Sequence, residues 1–140
     1  MRYMQPALTA MVSLLLMRVA FAGDIKVIAN PSVGASTISV EELRGVYLVN
    51  KTTLSDGSRV EPVLEKGGPV HAAFLKAYIG KTDAALDTYY RSLVFTGKGS
   101  IPKTVDADAD VVAYVTKTKG AIGYVSSAAS TTGVKTLEVK

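Results

Sequence analysis

The apolar positions of this chain change period several times, and each change marks an element. "DIKVIAN", from Asp24 to Asn30, alternates Ile25, Val27 and Ala29 with polar partners apart from Ile28, then stops at Asn30-Pro31, which predicts a strand. In "STISVEELRGVYLVN" the residues Val40, Leu43, Val46 and Tyr47 share one helical face. Ser39 stands three positions before Glu42 as a capping box, so a short amphipathic helix is expected in spite of Gly45. After an Asp56-Gly57 turn, Val60, Pro62 and Leu64 alternate with Glu61, Val63 and Glu65. Proline has no N–H to give a ladder, which demotes this run to a peripheral strand or an extended segment.

Gly67-Gly68-Pro69 then introduces Val70, Phe74, Ala77 and Tyr78 at helical spacing, up to a terminating Gly80. A second helix is expected from about Thr82, with Asp83 well placed against the dipole and Leu86, Tyr89, Tyr90 and Leu93 turned inward. "FTGKGSIPKTV" reads as a loop. "DADADVVAYVTKTKG" starts with acids and ends with lysines, the charge order of a helix dipole. "AIGYV" and "VKTLEV" read as strands around a Ser/Thr/Gly-rich connection. Asp24–Asn30, Ala121–Val125 and Val134–Val139 are therefore expected in one sheet covered by helices, an α/β fold, with no internal repeat and no linker between domains.

The first 22 residues stand apart from this pattern. Arg2, an apolar centre from Ala7 to Met17 and the small-residue ending Ala20-Phe21-Ala22 read as a secretory signal peptide, although Arg18 interrupts the apolar run. The run falls short of the roughly 20 apolar residues of a membrane span. Cleavage after Ala22 leaves residues 23–140, enough for one domain, in the periplasm or secreted. Arg2 and Arg18 leave with the leader, so the mature chain has 14 basic and 12 acidic residues, a net charge of +2. Its lysines are scattered without interleaved aromatics, which excludes a nucleic-acid binder. The chain has no cysteine and one histidine, which excludes a disulfide framework, thiol chemistry and a multi-histidine zinc site.

Few constellations could carry chemistry. Asp106, Asp108 and Asp110 imitate the opening of a calcium loop, but Val111 stands where the turn requires glycine and Lys117 where a bidentate glutamate belongs; no metal is expected there. Gly97 and Gly99 form half of a dinucleotide fingerprint without its third glycine. No nucleophile elbow occurs, and no acid, base and nucleophile set can be assembled, so neither an enzyme nor a cofactor is expected. Arg91, beside Tyr89 and Tyr90, has the permanent charge and fork of an anion clamp, whereas the tyrosines at helical spacing read as core. Gly67, Gly68 and His71 sit where a helix begins. Glycine lets backbone approach a ligand and unpaired N–H groups attract anions, but a plain turn and helix start accounts for the same residues.

Several segments, taken together and in order, resemble a known family. "ISVEELRGVYLVNK", "DGSRVEPVLEK", "HAAFLKAYIG", "YYRSLVFTGKGSIPKTVDADADVVAYV" and "KGAIGYV" are similar to short exported relatives of the phosphate-binding proteins of ABC transporters. The resemblance implies a single lobe of the type II periplasmic-binding-protein fold, a mixed sheet covered by helices, with no catalytic activity. It implies ligand contacts at Gly67, Gly68 and His71, where full-length relatives carry a hydroxyl-containing glycine loop and an arginine. "GGPVH" has neither hydroxyl nor arginine. Two functions follow: recognition of phosphate or a similar small oxyanion, with a membrane transporter as partner, or a ligand-free module that contacts another envelope protein.

Overall fold

The computed structural model describes residues 25–140. The leader expected over residues 1–22, with Gly23 and Asp24, lies outside the described residues. Six strands, β1 (Ile25–Ala29), β2 (Thr37–Ile38), β3 (Glu61–Glu65), β4 (Lys103–Val105), β5 (Ala121–Ser126) and β6 (Lys135–Val139), form one mixed sheet in the order β2-β6-β1-β5-β3-β4. The helices are α1 (Val40–Tyr47), α2 (Gly68–Phe74), α3 (Asp83–Phe95) and α4 (Asp108–Lys117). β1 runs antiparallel to both β5 and β6, with Val27 opposite Tyr124 and Leu137. β3 runs parallel to β5 and to β4.

Strand alternation sorts the core into two layers. Val27, Ala29, Leu64, Ile122, Tyr124 and Leu137 face the helices α1 to α3 and pack on Leu43, Tyr47, Phe74, Leu86 and Tyr90. Ile28, Val63, Ala121 and Val125 face the other way, against Val111 and Val115 of α4. Gly123 lets α4 come close, since a Cβ on it would lie 2.6 Å from Val111 Cγ1.

Several expectations are corrected. The run containing Pro62 is not peripheral, because β3 has a neighbour on each side. Glu61 N–H donates to Gly120 O at 2.9 Å, so the nitrogen of Pro62 faces the opposite edge, which β4 meets only from Val63 onward. The missing donor therefore costs the ladder nothing. Lys103–Val105 within the expected loop forms β4, and Thr37–Ile38 before α1 forms β2.

The capping box of α1 is half made. Ser39 Oγ accepts from Glu42 N–H at 3.0 Å, but the Glu42 carboxylate turns away to Ser55, whose hydroxyl donates to it at 2.6 Å. A further correction concerns α2, which passes into a π-helical turn at Leu75–Ile79, closed by Gly80 N–H to Leu75 O at 2.8 Å. The extra residue per turn shifts the buried face, so Leu75 and Ile79 point inward while Ala77 goes to solvent.

Candidate functional site

β3, β4 and β5 end on the same side of the sheet, but the chain leaves them in different directions. After β3 it passes into α2 and α3 on one face, and after β4 it passes into α4 on the other. That divergence opens a crevice at the carboxyl ends of β3 and β4, the place where α/β sheets hold ligands. A hollow of about 360 Å³ occupies it, with Lys66, Gly67, His71, Asp83 and Thr104 in its wall. A second hollow of about 560 Å³ shares Gly67, His71 and Asp83 and adds Ala72, Leu75, Lys76 and Lys81. The two lie on either side of one pair of residues, His71 and Asp83.

Gly67 and Gly68 carry the chain into α2 with φ of 53° and 83°. A Cβ on either would meet nothing within 4 Å, so glycine is required here by the left-handed backbone and not by crowding. The first turn of α2 has Gly67 as N-cap and Pro69 inside it, no side-chain cap and no acidic residue.

His71 is 4% exposed, and both of its ring nitrogens are occupied. Nε2 lies 2.9 Å from Asp83 Oδ1, and Nδ1 is hydrogen-bonded to the Tyr124 hydroxyl. A carboxylate only accepts, so Nε2 carries a proton, while the Tyr124 hydroxyl lies between Nδ1 and Glu65 O, the latter 3.3 Å away. The Tyr124 oxygen in turn accepts from Glu65 N–H at 3.0 Å. Its ring stacks on Phe74 with centroids 3.8 Å apart. Burial pushes the Tyr124 phenol well above its ordinary value, so it serves as a fixed donor and not as a nucleophile. A chain of hydrogen bonds thus runs from exposed Asp83 through His71 and Tyr124 to the end of β3. In this arrangement the imidazole has no further N–H to offer a ligand.

Gly67, Gly68 and His71 are brought together as neighbours of one crevice. Arg91 is not among them: its guanidinium pairs with Asp87 one turn back on the exposed side of α3, and only Asp87 reaches the smaller hollow. Asp106, Asp108 and Asp110 lie around the start of α4. Among the described residues no group of three or more histidine, cysteine or acidic side chains is arranged to hold a metal.

On the opposite face of β3, the Glu65 side chain, in a residue 8% exposed, meets Asp108. Burial, aided by a hydrogen bond to Asp108 and the charges of Asp108 and Asp110, raises the Glu65 carboxyl to about 8. Asp108 Oδ2 accepts from Ser126 N–H at 3.2 Å. Glu65 Oε2 and Asp108 Oδ1 are buried and have no donor of their own, as expected of two carboxyl groups that share a proton.

Sequence reasoning passed over Asp83 and Tyr124. Asp83 was legible only as an acid in a first helical turn, and Tyr124 only as one apolar position of a strand. Their partner, the lone histidine, was the available signal. A buried imidazole needs a donor and an acceptor, but the sequence does not say which residues supply them.

The sheet order, the helices on both faces and the crevice at the diverging strand ends define a mixed-sheet α/β fold. Solved structures share this fold. An ABC-type phosphate transport receptor from Vibrio cholerae aligns with TM-score 0.64 and 15% identity, over 83% of this chain and 46% of that one. A putative phosphate ABC transporter substrate-binding protein with bound phosphate from Clostridium perfringens gives TM-score 0.62, 18% identity and coverage of 83% and 44%. PstS from Borrelia burgdorferi gives 0.62, 14%, and 84% and 47%. The chain therefore spans less than half the length of these structures, the extent of one lobe. No protein-family model matches the chain, and no curated protein does. Among the described residues no helix is long and apolar enough to cross a membrane.

Proposed function

We propose that this protein is a solute-binding domain that takes a phosphate-like oxyanion at the Gly67–His71 end of the crevice and performs no reaction on it. The observation that carries the reading is the place of the uncapped α2 start, with two left-handed glycines, at the point where the chain leaves β3 and β4 toward opposite faces. Bare backbone N–H groups there suit a small anion. In this reading His71 is a wall residue that Asp83 and Tyr124 hold in place, and Arg91 neutralises Asp87 beside the crevice. An exported location and a transporter as recipient of the ligand belong to the same reading.

The test is thermal unfolding in phosphate and in sulfate. A ligand that binds only the folded chain adds about 2.7 kcal/mol of stability at a hundredfold excess over its Kd, a readily measured rise in Tm. Gly68→Ala, which disfavours the φ of 83°, is expected to remove most of that rise. If neither anion raises Tm at about 10 mM, a concentration a hundred times a Kd of about 0.1 mM, the reading fails.

Two observations favour a second reading, a module that contacts an envelope partner. Asp83 claims the imidazole proton that an anion would use. Phe95 is 93% exposed at the end of α3, with Val94 and Ile101 also exposed. That reading expects no response to any anion.

A further inference from the structure

We infer that the end of α3 and the loop after it dock on a lipid surface of negative charge, with Phe95 entering the bilayer interface. This goes beyond the oxyanion reading and does not depend on it. Among the described residues the large apolar side chains left exposed are Val94, Phe95 and Ile101, at 51%, 93% and 51%. All three fall in the one segment 94–101. The helix dictates the exposure. Leu86, Tyr90 and Leu93 pack on the core, and Phe95, two positions after Leu93 at about 100° per residue, is carried to the outer face. The backbone then holds it there: Thr96, Gly97 and Lys98 N–H donate to Ser92, Val94 and Leu93 O at 3.0, 3.1 and 2.9 Å, and Gly97 closes the helix with φ of 69°. Gly99 lies against Val49, where a Cβ on it would come within 3.3 Å of Val49 Cγ1. Phe95 thus stands off a pinned corner of the molecule.

The charge of the segment says what covers it. Residues 88–105 hold Arg91, Lys98 and Lys103 and no acid. The rest of 23–140 has 11 basic residues against 12 acidic ones, so the net positive charge comes from this stretch. Arg91 is engaged by Asp87, and Lys103 lies 5.8 Å from the centre of the Tyr114 ring in a hollow that also holds Asp106, Asp110 and Lys117. Lys98, exposed between Phe95 and Ile101, is in no ion pair among the described residues. Protruding apolar side chains beside a cation suit a headgroup layer that carries anions. The area argues against a protein partner. An aromatic side chain presents about 150–250 Å², and two half-exposed aliphatic chains added to it fall short of a protein interface, which covers roughly 800 Å² per partner, more than half of it apolar. A bilayer asks for no matching surface, only apolar groups to bury and charge to meet. Ile101 also lines the smaller hollow, so docking holds the crevice beside the bilayer.

The chain has no tryptophan, so Phe95→Trp reports on this position alone. Fluorescence of the purified full-length variant is titrated with vesicles of phosphatidylcholine and of an equal mixture of phosphatidylcholine and phosphatidylglycerol. The expected result is a blue shift with the mixed vesicles that weakens as salt is added, and little shift with phosphatidylcholine alone. Lys98→Gln in the same background should weaken binding about fivefold. Glu138→Trp, made separately at an exposed site of β6 near the sheet edge opposite β4, should keep its aqueous emission. Equal shifts at positions 95 and 138 would mean adsorption without this surface, through the apolar leader for example, and would overturn the inference. An affinity unchanged in Lys98→Gln would also overturn it. No shift at position 95 with either vesicle would overturn it and leave the patch to an envelope protein.

Discussion

Glu65 is the residue at which the two faces of the molecule meet. Its backbone N–H is fixed by the Tyr124 hydroxyl on the α2 side, while its carboxyl meets Asp108 on the α4 side. The carboxyl is held at about 8 in the folded chain against an ordinary 4.5, so the folded state keeps a proton that the unfolded state has given up. The sign follows from linkage: stability falls as pH rises from about 4.5 to about 8 and is flat with respect to this group above that. Urea unfolding at pH 5 and pH 8 should show a loss on the order of 2 kcal/mol in the wild type. Glu65→Gln, whose amide can donate to Asp108 at any pH, should be nearly flat over the same interval. Parallel curves for the two proteins would refute the shared proton. None of this is visible in the sequence, because Glu65 and Asp108 are joined only when α4 folds back over β3. The acids at the start of α4 read as dipole partners, and Asp108 and Asp110 do lie in its first turn.

Among the elements, those whose signals are local were the ones legible in the sequence. Thr82 caps α3 by accepting from Ala85 N–H at 3.1 Å, Ser39 does the same for α1, and the alternation in β1, β5 and β6 gave their shared sheet. β2 and β4, of two and three residues, exist only because a neighbouring strand offers them partners, so no periodicity announces them. The π-helical turn was equally silent, although its Gly80 end was not. Of the candidate site, the glycine pair at α2 was legible through its turn chemistry, whereas the His71 partners arrive from α3 and β5, and Arg91 went to an ion pair within its own helix. The contact of α4 with β5 gives a test at this scale. A methyl group on Gly123 would press on Val111 and Val115, so Gly123→Ala is expected to cost about 1–3 kcal/mol in chemical denaturation, with far-UV circular dichroism retained. A neutral result would mean that α4 is not held tightly against β5.

At the scale of the whole molecule, the strand that comes first lies between the two that come last. Val27 has Tyr124 on one side and Leu137 on the other, each roughly a hundred positions away along the chain. Until those residues are available, β1 has an unpaired edge on both sides and the layer beneath α1 to α3 lacks its floor. Contacts of such long range are slow to form, because the entropy of closing the loop is spent before any strand pairing compensates it. Nascent chains arrested with residue 120 just emerged should be cut by a nonspecific protease as fast as a denatured control. Chains released in full should resist, and early resistance would show that the α2–α3 region folds alone. The order of strands thus acts as a timer. On this expectation the polypeptide stays pliable at least until residue 120 has emerged, and it becomes a solid body only when β5 and β6 close around β1.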